Sequence, residues 1–134
     1  MLRHALAAML LVLPATAIAQ DGGADWQGAW FPIGSDANGA IWSIKAGDMN
    51  NSTNYRPWVW VRKDHSRDKS SKARVSQTLQ VIDCGARTSD VRTTQGFRAN
   101  GTLMWNAQSV QSNPQRILPA TMADVVRRSV CPRN

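Results

Sequence analysis
Glutamate does not occur anywhere in the 134 residues, and histidine occurs only twice, at His4 and His65. Paired-carboxylate catalysis would have to draw on two of the nine Asp residues, none of which sits in a recognisable motif. Two-histidine ribonuclease chemistry lacks its second histidine once an N-terminal leader carrying His4 is removed. His65 itself lies in a charged loop and reads as a solvated or satisfied side chain. The two cysteines are too few and too far apart for zinc-ligand spacing. Serine and threonine carry no nucleophile signature. No apolar run reaches the roughly 20 residues that a membrane-crossing helix needs. Internal repeats, low-complexity tracts, cofactor motifs and metal motifs are all absent, so the sequence points to a protein without chemistry of its own.

The N-terminal stretch has a different character. Arg3 and His4 precede the apolar run Ala5 to Leu13, and Ala17-Ile18-Ala19 supplies a small-x-small cleavage site. Residues 1–19 are therefore expected to be a secretory signal peptide, and no cysteine near the cleavage site offers a lipid anchor. The mature chain is expected to start near Gln20 and to be soluble in the periplasm or secreted.

Removal of 19 residues leaves 115, enough for one domain and too few for two. A domain of this size buries only about two-thirds of its unfolded surface. A covalent staple is therefore useful. Cys84 and Cys131 are either a disulfide or two buried thiols, and an oxidising compartment favours the disulfide. The full chain carries a formal charge of +7, which loss of Arg3 lowers to +6. Such a balance favours acidic partners: lipopolysaccharide, an acidic glycan, nucleic acid, or an acidic patch on an extracellular or envelope protein.

Along the chain, Asp25 to Ile33 is aromatic but interrupted by Gly28 and Pro32, which suits an edge strand or extended arm. Residues 20–39 form this arm and a following turn, and 40–134 form the domain proper. Strands are expected over Ala40–Lys45, Tyr55–Lys63 and Arg74–Cys84, the second an inner strand because both its faces are apolar at the centre. Val91–Phe97 and Thr102–Trp105 read as a hairpin across Asn100-Gly101, and Asn106 to Arg116 as a loop. A C-terminal helix begins after a Thr121 cap, with Asp124 in its first turn, Arg127 and Arg128 in its last, and Met122, Val125, Val126 and Val130 on its buried stripe. The expected fold class is α+β, mainly β: an antiparallel meander of five or six strands with one packed C-terminal helix.

Ile82-Asp83-Cys84 at a strand end, Trp58-Val59-Trp60-Val61, Ser43-Ile44, and the closing segment from Leu118-Pro119 through Thr121 to Val130-Cys131 resemble the bacterial surface-adhesin protein E domain. The resemblance covers Ile41 to Cys131. It implies an exported antiparallel sheet with a packed helix and a Cys84–Cys131 disulfide. Some relatives act as surface adhesins for host matrix proteins, while most similar domains have no assigned activity. The chain departs from the adhesin pattern in lacking a lipobox cysteine, and the Asp25–Ile33 arm lies outside the resemblance.

Two segments stand out as candidate contact sites. Arg62 to Arg74 holds six cations (Arg62, Lys63, Arg67, Lys69, Lys72 and Arg74) against two Asp, a pattern suited to phosphates or sulfates. A merely solubilising loop is the alternative. Trp26, Trp30 and Phe31 either present an aromatic contact surface or fold back over a sheet edge. Trp58 and Trp60 point to one side of their strand and are expected to pack in the core with Trp42. The expected function is that of an exported, adhesin-like binding protein of the cell envelope. The alternative is a periplasmic inhibitor or accessory subunit of an envelope enzyme.

Overall fold
The computed structural model describes residues 29–133. The expected signal peptide and residues 20–28 of the arm, Trp26 included, lie outside the described residues.

Alternating β-branched and aromatic side chains place the sheet, with longer connections at 47–57 and 65–74 and shorter ones between the other main strands. The strands are β1 (Phe31–Ser35), β2 (Ile41–Ala46), β3 (Trp58–Asp64), β4 (Val75–Asp83), β5 (Thr88–Phe97), β6 (Leu103–Gln108) and the two-residue β7 (Gln115–Arg116), followed by the helix α1 (Met122–Val130). Six strands pair antiparallel in chain order, β1-β2-β3-β4-β5-β6, and β7 pairs with β5. Pro32 is accommodated because β1 is an edge strand, with a bulge between Pro32 and Gly34. The Asn100-Gly101 turn forms as expected, Gly101 taking φ +85° while the Asn100 side chain accepts the Thr102 N–H at 3.0 Å.

One face of the sheet carries the core. Ile33, Ile44, Val59, Val61 and Ile82 are buried together with Ile117 and with Val126, Val130 and Cys131 at the helix end. Thr121 caps α1 by accepting the Asp124 N–H at 3.3 Å. Asp124 pairs with Arg127 at 2.8 Å, one turn on. The buried helical residues are Val126, Ser129 and Val130, whereas Met122, Ala123 and Val125 pack partly against the cluster. Ser129 was not foreseen on this stripe; its hydroxyl donates to the Val125 carbonyl at 2.7 Å, which lets a polar side chain be buried at little cost. Cys131 is joined to Cys84 by a disulfide, with their Cα atoms 5.8 Å apart.

The tryptophans correct one expectation. Val59 and Val61, not their neighbours, face the helix and are completely buried. Trp58 and Trp60 have the opposite parity and lie on the other face of β3, outside the buried cluster. Trp42 packs partly against that cluster, so the three rings do not meet in one core.

Several boundaries also differ from expectation, and β3 begins at Trp58 rather than Tyr55. β5 begins at Thr88 rather than Val91. The polar Thr88-Ser89-Asp90 stretch hides this extension, because Asp is depleted in strands. Asp90 is buried, accepting the Ser112 hydroxyl at 2.9 Å and the Asn113 N–H at 3.1 Å. β6 runs on to Gln108, and Gln115–Arg116 is a short strand, where a loop was expected from Asn106 to Arg116. Both are edge segments exposed along most of their length, so they carry no apolar alternation to read.

Candidate functional site
Directly paired residues share a face of a sheet, so the register fixes what the face opposite the helix displays. Across it runs the row Ser43, Arg62, Gln77, Gln95, Asn106. Beside it lies the row Ile41, Asp64, Val75, Phe97, Leu103.

Where these rows reach the β5–β6 turn, a groove of about 330 Å³ is lined by Arg62, Arg74 and Arg98 together with Val75, Gln77 and Phe97. Three arginines thus line one concavity. Each is positioned differently. Arg62 lies against the Trp30 ring, 5.5 Å from its centroid, a cation–π contact that orients the fork without neutralising it. Arg98 is held by neutral acceptors, donating to the Leu103 carbonyl at 3.2 Å and to the Thr102 hydroxyl at 3.4 Å. Arg74 comes within 4.0 Å of Asp64, with both side chains about half exposed. The Asp64 carboxyl is held below its ordinary value of 3.8, first by the Ser66 backbone N–H and further by Arg74 and Arg62. The groove lining thus holds three arginines and no carboxylate, and Asp64 beside it offsets Arg74 and Arg62 only loosely, which leaves the groove electropositive.

The six cations singled out from the sequence do not form one patch. Arg62 and Arg74 line the groove. Lys63, one residue from Arg62 and hence on the opposite face, places its Nζ 4.2 Å from the Trp42 ring centroid. Arg67, Lys69 and Lys72 are exposed on the hairpin tip. Arg98 was missed in the sequence, because it lies 24 residues from Arg74 and only the β4–β5 pairing brings it near. Trp30 and Phe31 fold back onto the sheet: Trp30 is half-buried beside Arg62, and Phe31 packs partly against the core.

The tip itself is held by a buried polar clasp. His65 Nδ1 lies 2.9 Å from Asp68 Oδ2, and His65 Nε2 lies 2.8 Å from Ser76 Oγ. An ionised carboxylate only accepts, so Nδ1 donates, and in that tautomer Nε2 accepts the Ser76 hydroxyl. Asp68 also accepts the Ser70 N–H at 3.0 Å and the Ser70 hydroxyl. Ser70 and then His65 hold the Asp68 carboxyl below the usual carboxylate range. The connectivity is that of a Ser–His–Asp relay, but Ser76, the second residue of β4, is paired on both sides, with Lys63 of β3 and Gly96 of β5. Backbone N–H groups there are directed in the sheet plane toward the neighbouring strands, whereas acyl transfer needs N–H donors aimed at a developing oxyanion. The clasp ties the tip of the β3–β4 hairpin to the start of β4.

Among the described residues no group of three or more His, Cys, Asp or Glu side chains could hold a metal ion. No helix among them is long and apolar enough to cross a membrane. Comparison with family models, with curated proteins and with solved structures finds no match to this chain.

Proposed function
We propose that the protein is an exported binding module of the bacterial cell envelope, adhesin-like and without catalysis, that takes up anionic groups in the groove of Arg62, Arg74 and Arg98. The lining of three arginines, with one partly exposed carboxylate beside it, carries this reading. Guanidinium forks suit carboxylate, sulfate and phosphate oxygens because two parallel N–H donors meet two acceptors. The resemblance of the Cys84 strand end and the Cys131 helix to surface-adhesin protein E domains agrees with it, as does a disulfide, which persists in oxidising compartments.

The test uses a sulfated-dextran matrix and two triple variants of equal charge change. Replacing Arg62, Arg74 and Arg98 with Ser should move the protein from salt-dependent retention to flow-through at about 50 mM salt, where the Debye length is longer than the ~8 Å of physiological salt. Replacing Lys63, Lys69 and Lys72 with Ser should lower the eluting salt only modestly. Equal loss in both variants would show that net charge, not the groove, retains the protein.

A further inference from the structure
The arginine groove continues into a row of amides, and that row says which kind of anion the face fits. Gln77 Nε2 donates to Gln95 Oε1 at 3.2 Å, and Gln95 Nε2 donates to Asn106 Oδ1 at 3.5 Å. Arg62 pairs directly with Gln77 in the register, so cation and amides stand in one line across β3, β4, β5 and β6. Three strand spacings of about 4.8 Å make the line about 14 Å long. It is flanked by side chains with apolar surface on both sides: Trp60 and Leu79 in one neighbouring row, Val75 and Phe97 in the other.

The chemistry of the two halves is complementary. A primary amide carries two N–H donors and a carbonyl with two lone pairs, and the ladder bonds use only part of that capacity. Phosphate and sulfate oxygens of a fully ionised polyanion accept only, so amide carbonyls along the row would be left facing acceptors. Sugar hydroxyls donate and accept, and match amides at every position. The flanking apolar side chains suit the C–H faces of pyranose rings, as aromatic and aliphatic linings do in other ligand sites.

We infer that the ligand of this face is an acidic glycan laid across the strands, its carboxylates or sulfates on Arg62, Arg74 and Arg98 and its hydroxyls on Gln77, Gln95 and Asn106. This rests on the anion-binding reading above and narrows it to a polymer that carries both charge and hydroxyls.

The experiment compares a heparin octasaccharide with inorganic polyphosphate of matched charge, using the full mature chain and isothermal titration at constant salt. The wild type should bind the octasaccharide at least tenfold more tightly. Gln95→Ala, at a position that does not line the arginine groove, should weaken octasaccharide binding severalfold and leave polyphosphate binding unchanged, and the polyphosphate arm also certifies that the groove is folded. Asn106→Ala, on the edge strand, should act in the same direction with less risk to the sheet. If the amide variants leave octasaccharide binding untouched, or weaken both probes equally with Asn106→Ala behaving alike, the glycan assignment is overturned while the anion groove stands. If neither probe binds the wild type, the anion-binding reading fails, and the glycan assignment with it.

Discussion
At the scale of single residues, the clearest constraint is a close approach between a glycine and an aromatic ring. A Cβ added at Gly96 would stand 2.3 Å from Trp105 Cη2, so the indole lies directly on the glycine of the paired strand. Trp105 is 40% exposed, and the ring has room to swing outward. Gly96→Ala should therefore displace the indole and destabilise the fold by about 1–3 kcal/mol, the usual range for overpacking. The Trp105 indole N–H resonance should shift while those of the other tryptophans hold. An unmoved resonance would contradict the packing described. Nothing in the sequence marked this contact, since Gly96 reads as a weak point in a strand until its cross-strand partner is known. Arg98 escaped notice for the same reason: its role is conferred by pairing, not by its neighbours along the chain.

Among the elements, α1 depends most on what it touches. Its nine residues fall short of the 12–15 or so at which isolated helices become even marginally stable in water. Docking of Val126 and Val130 and the bond from Cys131 to Cys84 hold it in place. The bridge closes a separation of 47 residues, worth about 4 kcal/mol in the chain-entropy model. Cys84→Ala with Cys131→Ala should lower the urea-unfolding free energy by an amount of that order. Amide exchange should accelerate first over residues 125–131. Elements of this kind were legible because their signals are local: the Thr121 cap, Asp124, the basic last turn, and the alternation in β3 and β4. β7 and the far end of β6 were not, because an exposed edge strand has no buried side to impose a period. The inward direction of β3 was likewise hidden. Its alternation separates Val59 and Val61 from Trp58 and Trp60, but only the docked helix decides which set is enclosed.

For the molecule as a whole, carboxylates set the response to acid. Asp36 is held below its ordinary value of 3.8, mainly by the Trp42 indole N–H. Asp64 and Asp68 are lowered by the partners already described. At Asp124 burial pushes upward, but Arg127 and Arg128 outweigh it and the net shift is downward. Groups whose folded pKa lies below the unfolded one contribute stability above the unfolded value, and that contribution is lost as pH falls through the folded value. Thermal stability should thus be flat from neutrality down to about pH 5 and fall as pH drops below 3.8, by about 4 °C in Tm for each 1 kcal/mol lost. Melting curves between pH 7 and pH 2 check this; a midpoint that rises on acidification would reverse the sign argued here.

Each main strand after β1 lies against the one synthesised just before it. A chain emerging N-terminus first through a narrow exit could therefore lay down its pleated layer one ribbon at a time, without waiting for distant partners. The enclosing helix and its sulfur–sulfur bond come last, since α1 and Cys131 follow every strand. Until that helix docks, the inner side of the ribbon, Val59 and Val61 included, stays uncovered and Cys84 waits for its mate.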